Sequence, residues 1–597
     1  MMNQRLNRTF GMLLILGTWT FPAPADDVLP DGDTITRAMV DELARSIDLQ
    51  MEDLEKPYFI QYSVEDSITY QMSASYGAMT TSQRDRSRTF YSQTRVGSYE
   101  LDNTNFSGDS GGFFGGSSRS GNRASLPLDD DYTAIRHAIW RATDKDYKNA
   151  VETLTKKRSY MKDKNIEDRP ADFSKAPVVE YVEDGARLDF DKTQWERNLK
   201  RLSARFKKYQ QIQDSNVQLF VGAGNAYVAN TEGTRVRTGD TGVLLLISAE
   251  SQAEDGMKFS DSLSYVGDTT GDIPPLEEIL GDIDEVVDNL TKVMEAPILE
   301  EYSGPVLFDD IAAAQMLRKM LAGGVIGQPE PIGTQRRTFT GAQNLQKKLK
   351  RRILPKSFQI FDNPGINKFD DKYLFGYYRY DDEGVKAQKV DIVVNGKLED
   401  MAMSRVPTKK LSGSNGHGRR APGGGDVDAA IGCLFVEDNK GVSSEELKTA
   451  LIEAAEDQDL EYGLRIASIR TAGLGSSRSD IMAMFMRMQS GGDDRLGDPI
   501  YAYKVYVDDG REELVRGCEF GPVTVNNLKK IVAAGSKPTV YNYIGIGFAG
   551  ATPPSSIIAP AMLFEELDLS KIEQEHEKPP ILSAPATRNS EGAAQGT

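Results

Sequence analysis

Residues Phe375–Arg420 read FGYYRYDDEGVKAQKVDIVVNGKLEDMAMSRVPTKKLSGSNGHGRR. Asp381-Asp-Glu-Gly384 has the composition of a turn, three short polar residues closed by a glycine. It leads into an apolar, β-branched run, Ala387–Val394, which predicts a strand. Asn395-Gly396 follows directly. That pair beside an apolar run signals a two-residue hairpin, because both residues tolerate positive φ. A polar, Gly-rich loop then runs through Ser414-Asn-Gly-His-Gly-Arg-Arg420.

Outward from this block, the chain alternates helical and strand periods. Apolar spacing predicts a helix over Ile35–Leu49, and alternation predicts strands over Pro57–Val64, Ser67–Ser75 and Thr89–Tyr99. A Gly/Ser loop, 106–123, separates these from helices over about Asp130–Thr143, Asp146–Lys162 and Lys192–Gln211. Strands follow around Val217–Gly222, Asn225–Asn230 and Arg235–Glu250, with a turn at Asn230–Gly233. Pro275–Ala296 carries Leu276, Ile279, Leu280, Ile283, Val286, Val287 and Leu290 on one stripe, a helix joining two domains. Beyond it come a strand at Val306–Phe308, a helix at Ile311–Leu321, a linker at Ala421–Gly425 and a strand at Ile431–Val436. Ser443-Ser-Glu-Glu446 opens a helix to Asp457 as a capping box. Strands at Tyr462–Arg470, Ile500–Val507, Glu513–Cys518 and Thr539–Tyr543, a mobile excursion over Thr471–Leu496 and a helix at Val523–Ala533 complete the pattern. The expected fold class is α+β in two lobes: residues 26–296, residues 297–569 and a polar tail, 570–597.

Composition narrows the function classes. The chain has 597 residues, 39% hydrophobic and 27% charged, with a net charge of −18. Residues 1–25 have a basic start (Arg5, Arg8), an apolar stretch Phe10–Phe21 and a small-residue site at Ala23-Pro-Ala25, the layout of an export signal, cleaved or retained as an anchor. Without it the balance is 69 basic against 89 acidic residues. That surplus of acid disfavours nucleic acid, whose phosphates are bound by Lys and Arg. The expected location is periplasmic or extracellular, with no membrane span after cleavage. Cys433 and Cys518 are either a disulfide, as an oxidising compartment allows, or two buried thiols.

Several local motifs carry no chemistry. Gly108-Asp-Ser-Gly-Gly112 resembles the surroundings of a serine nucleophile, but a trypsin-like order needs an earlier histidine, and none precedes His137. A hydrolase elbow needs strand then helix around the serine, and this one lies in low complexity. Gly222-Ala-Gly224 lacks the third glycine of a dinucleotide fingerprint, and no phosphate-binding loop occurs. Asp381, Asp382 and Glu383 are adjacent acids pointing different ways, which does not make an acid/base pair. His137 reads as a packing partner of Trp140, and His576 as part of a solvated tail.

Five segments in order resemble the TldD/PmbA family: Ala229-Asn-Thr-Glu-Gly-Thr234, Ser303-Gly-Pro-Val-Leu-Phe308 with its Ala-rich helix, the 375–420 block, Arg511-Glu-Glu-Leu-Val-Arg-Gly517 and Ile557–Leu567. The resemblance implies a metalloprotease-related protein that dimerises around a cleft for unfolded peptide. Catalytic members carry His-Glu-x-x-x-His on the helix after the Gly-Pro-Val strand and a late cysteine. Here that helix reads Ile311-AAAQMLRKML-Ala322, and Tyr541–Ser556 has no cysteine. The chain therefore resembles members without the zinc ligands, with no cofactor expected. The implied role is a PmbA-like subunit, homodimeric or paired with a metal-bearing paralogue. The alternatives are a peptidase with a different metal site and a homodimeric envelope binding protein without hydrolysis. The resemblance also turns the Gly-rich loop toward the cleft. Asn415, His417, Arg419 and Arg420 are its candidate substrate-binding residues, the arginines holding a peptide carboxylate through forked hydrogen bonds.

Overall fold

The computed structural model describes residues 23–24, 33–108, 122–333, 345–422, 424, 426–471, 473, 496–547, 550–574, 576–580 and 582. Nearly all of the export signal, most of the Gly/Ser loop with its Gly-x-Ser-x-Gly match, and most of the 471–496 excursion lie outside them.

The architecture is α+β in two lobes, each built on one large sheet. The first sheet has seven strands in the order Asn122–Ser125, Ala78–Val96, Pro57–Ser75, Asp214–Asn230, Arg235–Gln252 and Glu180–Val182, with Lys258–Gly267 also on Arg235–Gln252. Side chains alternate between its faces, as the pleat requires. Ile60, Tyr62 and Val64 pack under the helices Thr34–Ser46 and Tyr132–Asp163. Met72, Val217, Leu219, Val243 and Leu245 pack under Lys192–Ala204 and Leu276–Glu295. The opposite face, with Phe59, Gln61 and Glu65, is left for the second lobe.

The second sheet has eleven strands. Its main path runs Lys397–Leu398, Val390–Val394, Phe358–Asp362, Cys433–Asp438, Ser555–Lys571, Glu301–Phe308, Tyr462–Ile469, Pro499–Tyr506 and Glu512–Val515. Ser555–Lys571 also pairs with Cys518–Phe520 and Ile531–Tyr543, so four strands lean on this one segment. Within it the apolar run Ile557–Phe564 is buried on both faces, and the two glutamates that follow, Glu565 and Glu566, are exposed. Asn395 and Gly396 take φ of 50° and 73° between their two strands, the positive values that a tight hairpin turn demands. A side chain at Gly396 would also strike the carbonyl oxygens of Leu354 and Pro355 at 2.3 Å.

Several expectations change. Pro57–Ser75 is one strand rather than two, because Asp66 is neutralised within it by Arg88 at 2.6 Å. Strands drawn apart at Ala223-Gly224 are one strand, Asp214–Asn230, since Ala223 and Gly224 stay in register with Thr241 and Asp240. Tyr132–Asp163 is one continuous helix, in which Thr143 donates back to the Ile139 carbonyl at 2.8 Å. The expected helix over Val523–Ala533 is a single 3₁₀ turn, Asn527–Lys530, and then a strand from Ile531, because pairing of Ile531 with Phe564 outweighs the local helical period. The tail from residue 570 begins inside a strand, and Gln252 donates to the Glu577 carbonyl at 2.6 Å, so its first residues are held down.

Cys433 and Cys518 are free, buried thiols and not a disulfide. They face Ser556 and Lys571 on the same strand. At ~3.3 Å per residue those positions are about 50 Å apart, far beyond the reach of an S–S bond.

Ser443 accepts from Glu446 N at 3.2 Å while Glu446 accepts from Ser443 N at 2.8 Å, the reciprocal capping box that the sequence predicts. Ser443→Ala removes one half of it. The expected cost is about 1 kcal/mol, read as a small fall in the denaturant midpoint; an unchanged midpoint would mean that the sheet alone fixes this helix.

Candidate functional site

The 375–420 block sits where the two sheets meet. Its acidic turn closes on Gly384, at φ 76°, and divides its three carboxylates. Asp381 and Glu383 point inward and are each 2% exposed. Asp381 accepts from Glu383 N, Val385 N and Gly418 N at 2.8–3.0 Å. Glu383 accepts from Arg405 N at 2.7 Å through one oxygen, and its other oxygen has no partner. Burial pushes both up, Asp381 well above the usual carboxylate range and Glu383 to about 7, where Arg405 partly offsets it. Gly418 has to be glycine here, since a Cβ would lie 2.5 Å from Glu383 Oε2.

Asp382 turns the other way. It accepts from Arg420 N at 2.6 Å and Arg419 Nε at 3.3 Å, and its own carbonyl accepts from Gln61 of the first sheet at 2.8 Å. Asp382, Arg419 and Arg420, together with Glu65, Asp240, Tyr377 and Arg379, line a polar cleft of about 60 Å³ between the sheets, space for a few waters. Burial raises Glu65 to about 7 and Asp240 to about 6. Such carboxylates exchange protons near neutrality.

The four residues assigned to the Gly-rich loop separate into two pairs. His417 is fully buried, with Nε2 at 3.2 Å from Asp362 Oδ1 and Nδ1 at 2.9 Å from Asn415 Oδ1. Asn415 spends its side chain on Met403 N and the Met401 carbonyl. Both brace the loop from within. Arg419 and Arg420 line the cleft and lie over the rings of Tyr378 and Tyr91 at 4.1 and 4.2 Å. Of the two forks predicted for a peptide carboxylate, that of Arg419 gives one nitrogen to Asp382, while Arg420 reaches Asp382 through its backbone N. Away from the cleft, the His137 ring meets Trp140 edge-on at 5.3 Å, on an exposed helix face.

Around the cleft, Arg405 ties the lobes together. Its side chain is 0% exposed, pairs with Glu232 at 2.8 Å, donates to the Ser174 carbonyl at 2.8 Å and lies 4.1 Å from the Phe173 ring centre. Glu232 belongs to the Ala229–Thr234 turn, so two of the segments noted in the sequence meet here. Nothing in the local sequence marks Arg405; only the tertiary contact does.

The second locus is the helix Asp310–Leu317, which follows Glu301–Phe308 and widens into a π turn over Arg318–Ala322. π turns inside helices recur at functional sites. Gln315 accepts from Ile469 N at 2.8 Å, and the Arg318 guanidinium lies 4.1 Å from the Tyr543 ring centre. Zinc would require three donors from His, Cys or carboxylates and an open position. This face offers an amide, a thioether and a guanidinium cation instead. Among the described residues no group of three or more His, Cys, Asp or Glu is arranged to hold a metal. The residues present do not fit the zinc of the catalytic relatives.

Residues 301–468, the stretch holding this helix and the acidic block, match the family model of the PmbA/TldA metallopeptidase C-terminal domain. A protein of Archaeoglobus fulgidus named "Metalloprotease" is 28% identical over 146 residues, 24% of this chain. The match spans 31% of that relative's length. TldE from Thermococcus kodakarensis superposes with a TM-score of 0.56 at 13% identity, over 90% of this chain and 100% of that one. A protein described as a modulator of DNA gyrase from Bacteroides thetaiotaomicron gives 0.56 at 12% identity, over 91% and 100%. One from Thermotoga maritima gives 0.52 at 15%, over 86% and 96%. At such identities the structures speak for the fold alone. Residues 301–468 thus carry a domain of the PmbA/TldA metallopeptidase type, and the chain as a whole has the fold of TldE and of the proteins described as modulators of DNA gyrase.

Proposed function

We propose that this chain is an exported, metal-free member of the TldD/PmbA family that holds extended peptide and leaves cleavage to a metal-bearing partner. The observation that carries the reading is the helix after Glu301–Phe308, the one that bears His-Glu-x-x-x-His in the catalytic members the sequence resembles, where this chain has Gln315 and Arg318. A guanidinium there repels a divalent cation and attracts anions. Dimerisation with a metal-bearing relative, and export by residues 1–25, belong to the same proposal. Of the loop residues, Arg419 and Arg420 are the two placed to meet a ligand.

The test is elemental analysis of the mature protein purified alone, beside a casein-cleavage assay. The expected result is zinc far below one ion per chain and no chelator-sensitive cleavage, with cleavage appearing when a family member bearing His-Glu-x-x-x-His is added. Stoichiometric zinc with chelator-sensitive cleavage by this chain alone would overturn the reading.

A further inference from the structure

Arg318 is the feature that the fold does not use. It is half-buried, sits at the start of the π turn and lies 4.1 Å from the Tyr543 ring centre. It has no carboxylate partner among the described residues. The comparably half-buried Arg465 and Arg516 each pair with a carboxylate, Asp309 and Asp255. The neighbourhood is built rather than loose. Tyr541 and Tyr543 lie 5.9 Å apart between ring centres, and the Tyr541 hydroxyl is 3.0 Å from the Thr471 hydroxyl. Gln315, one turn earlier on the same helix face, commits its carbonyl oxygen to Ile469 N. Its amide nitrogen is left without a partner among the described residues.

We propose that Arg318, with the Gln315 amide beside it, is a fixed-cation receptor for a carboxylate of the bound peptide, its C-terminal group above all. The proposal rests on the peptide-holding reading above and names the group that is held. Stacking on Tyr543 removes the side-chain freedom that an arginine otherwise loses on binding, so the fork is pre-organised. A planar fork beside a second donor matches the two oxygens of a carboxylate. Where a catalytic relative offers a metal ion, this chain offers a permanent organic cation: it attracts the same anionic group and activates no water.

A short fluorescein-labelled peptide, prepared once with a free C-terminal carboxylate and once as the C-terminal amide, is titrated with the full mature chain and followed by anisotropy. The carboxylate form is expected to bind roughly ten- to hundred-fold tighter, the scale of a charge-assisted hydrogen-bonded pair. Arg318→Gln is expected to bring the two peptides to within about two-fold of each other, and Arg318→Lys to keep an intermediate preference because the charge survives without the fork. Equal binding of both peptides by the unsubstituted chain, or an undiminished preference in a folded Arg318→Gln protein, would overturn the receptor while leaving peptide holding intact. Failure of the unsubstituted chain to bind either peptide would overturn both. The acid–amide comparison needs no variant, so a misfolding substitution does not shelter the proposal.

Discussion

Arg405→Met is expected to destabilise the protein by about 3–5 kcal/mol, the largest effect of any single substitution considered. The guanidinium is wholly buried, and its removal leaves the Ser174 carbonyl without its donor and the Glu232 carboxylate with the Tyr99 hydroxyl alone. It also removes a ring contact with Phe173 and the cation that partly offsets the fully buried Glu383, and an uncompensated buried charge costs more than the pair that held it contributes. Arg405→Lys restores a charge without the fork and should recover only part of the loss. Glu232→Gln should cost less, since that side chain keeps 17% of its exposure and can turn to water. Urea unfolding followed by circular dichroism measures all three. A loss below about 1 kcal/mol in Arg405→Met would place the residue among ordinary surface ion pairs and remove it as the tie between the lobes.

The second large effect is on pH. Glu383 has its folded pKa at about 7 against an ordinary 4.5, with burial as the main cause, and Asp381 moves in the same direction. Between those pH values the folded chain holds protons that the unfolded chain has released, so stability falls as pH rises. The contribution is complete below about pH 4.5 and is lost as pH passes through 7. At 1.36 kcal/mol per unit, Glu383 accounts for a decline of order 3 kcal/mol. The urea midpoint is therefore expected to be higher at pH 5.5 than at pH 8. Glu383→Gln, which keeps an oxygen for Arg405 N and never ionises, should flatten the slope by that residue's share and leave the part due to Asp381. Superimposable pH profiles for the two proteins would show that the carboxyl does not titrate in this range.

Local chemistry made the turn and the caps legible in the sequence. Asn395-Gly396, the capping box at Ser443 and the stripe of Leu276–Leu290 are short-range patterns, and each stands in the structure where its residues predict. Long-range pairing was hidden. Glu65-Asp66 reads as a break between strands because the neutralising Arg88 is 22 residues away, and Val523–Ala533 reads as a helix because its partner strand lies downstream. At the junction of the sheets the residue types were visible and their burial was not. Three acids in a row suggest a solvated turn, while two of them are sealed behind the Arg405 backbone and Gly418. Asn415 and His417 suggest a ligand surface, while Asp362, the group that claims His417, is distant in sequence. Arg318 carries no signal in a helix that reads as plain core, since what singles it out is the lack of a carboxylate partner among the described residues.

The dependence of the second lobe on Ser555–Lys571 constrains how the chain is made. Glu301–Phe308, Cys433–Asp438, Cys518–Phe520 and Ile531–Tyr543 all pair with a segment synthesised after every one of them. Until residue 571 leaves the ribosome, these strands wait with open edges, and open edges invite pairing with other chains. The first lobe has no such wait, since its strands are complete by Gly267. Its sheet can close during synthesis, while the second closes only afterwards and across long sequence separations, the slow class of folding.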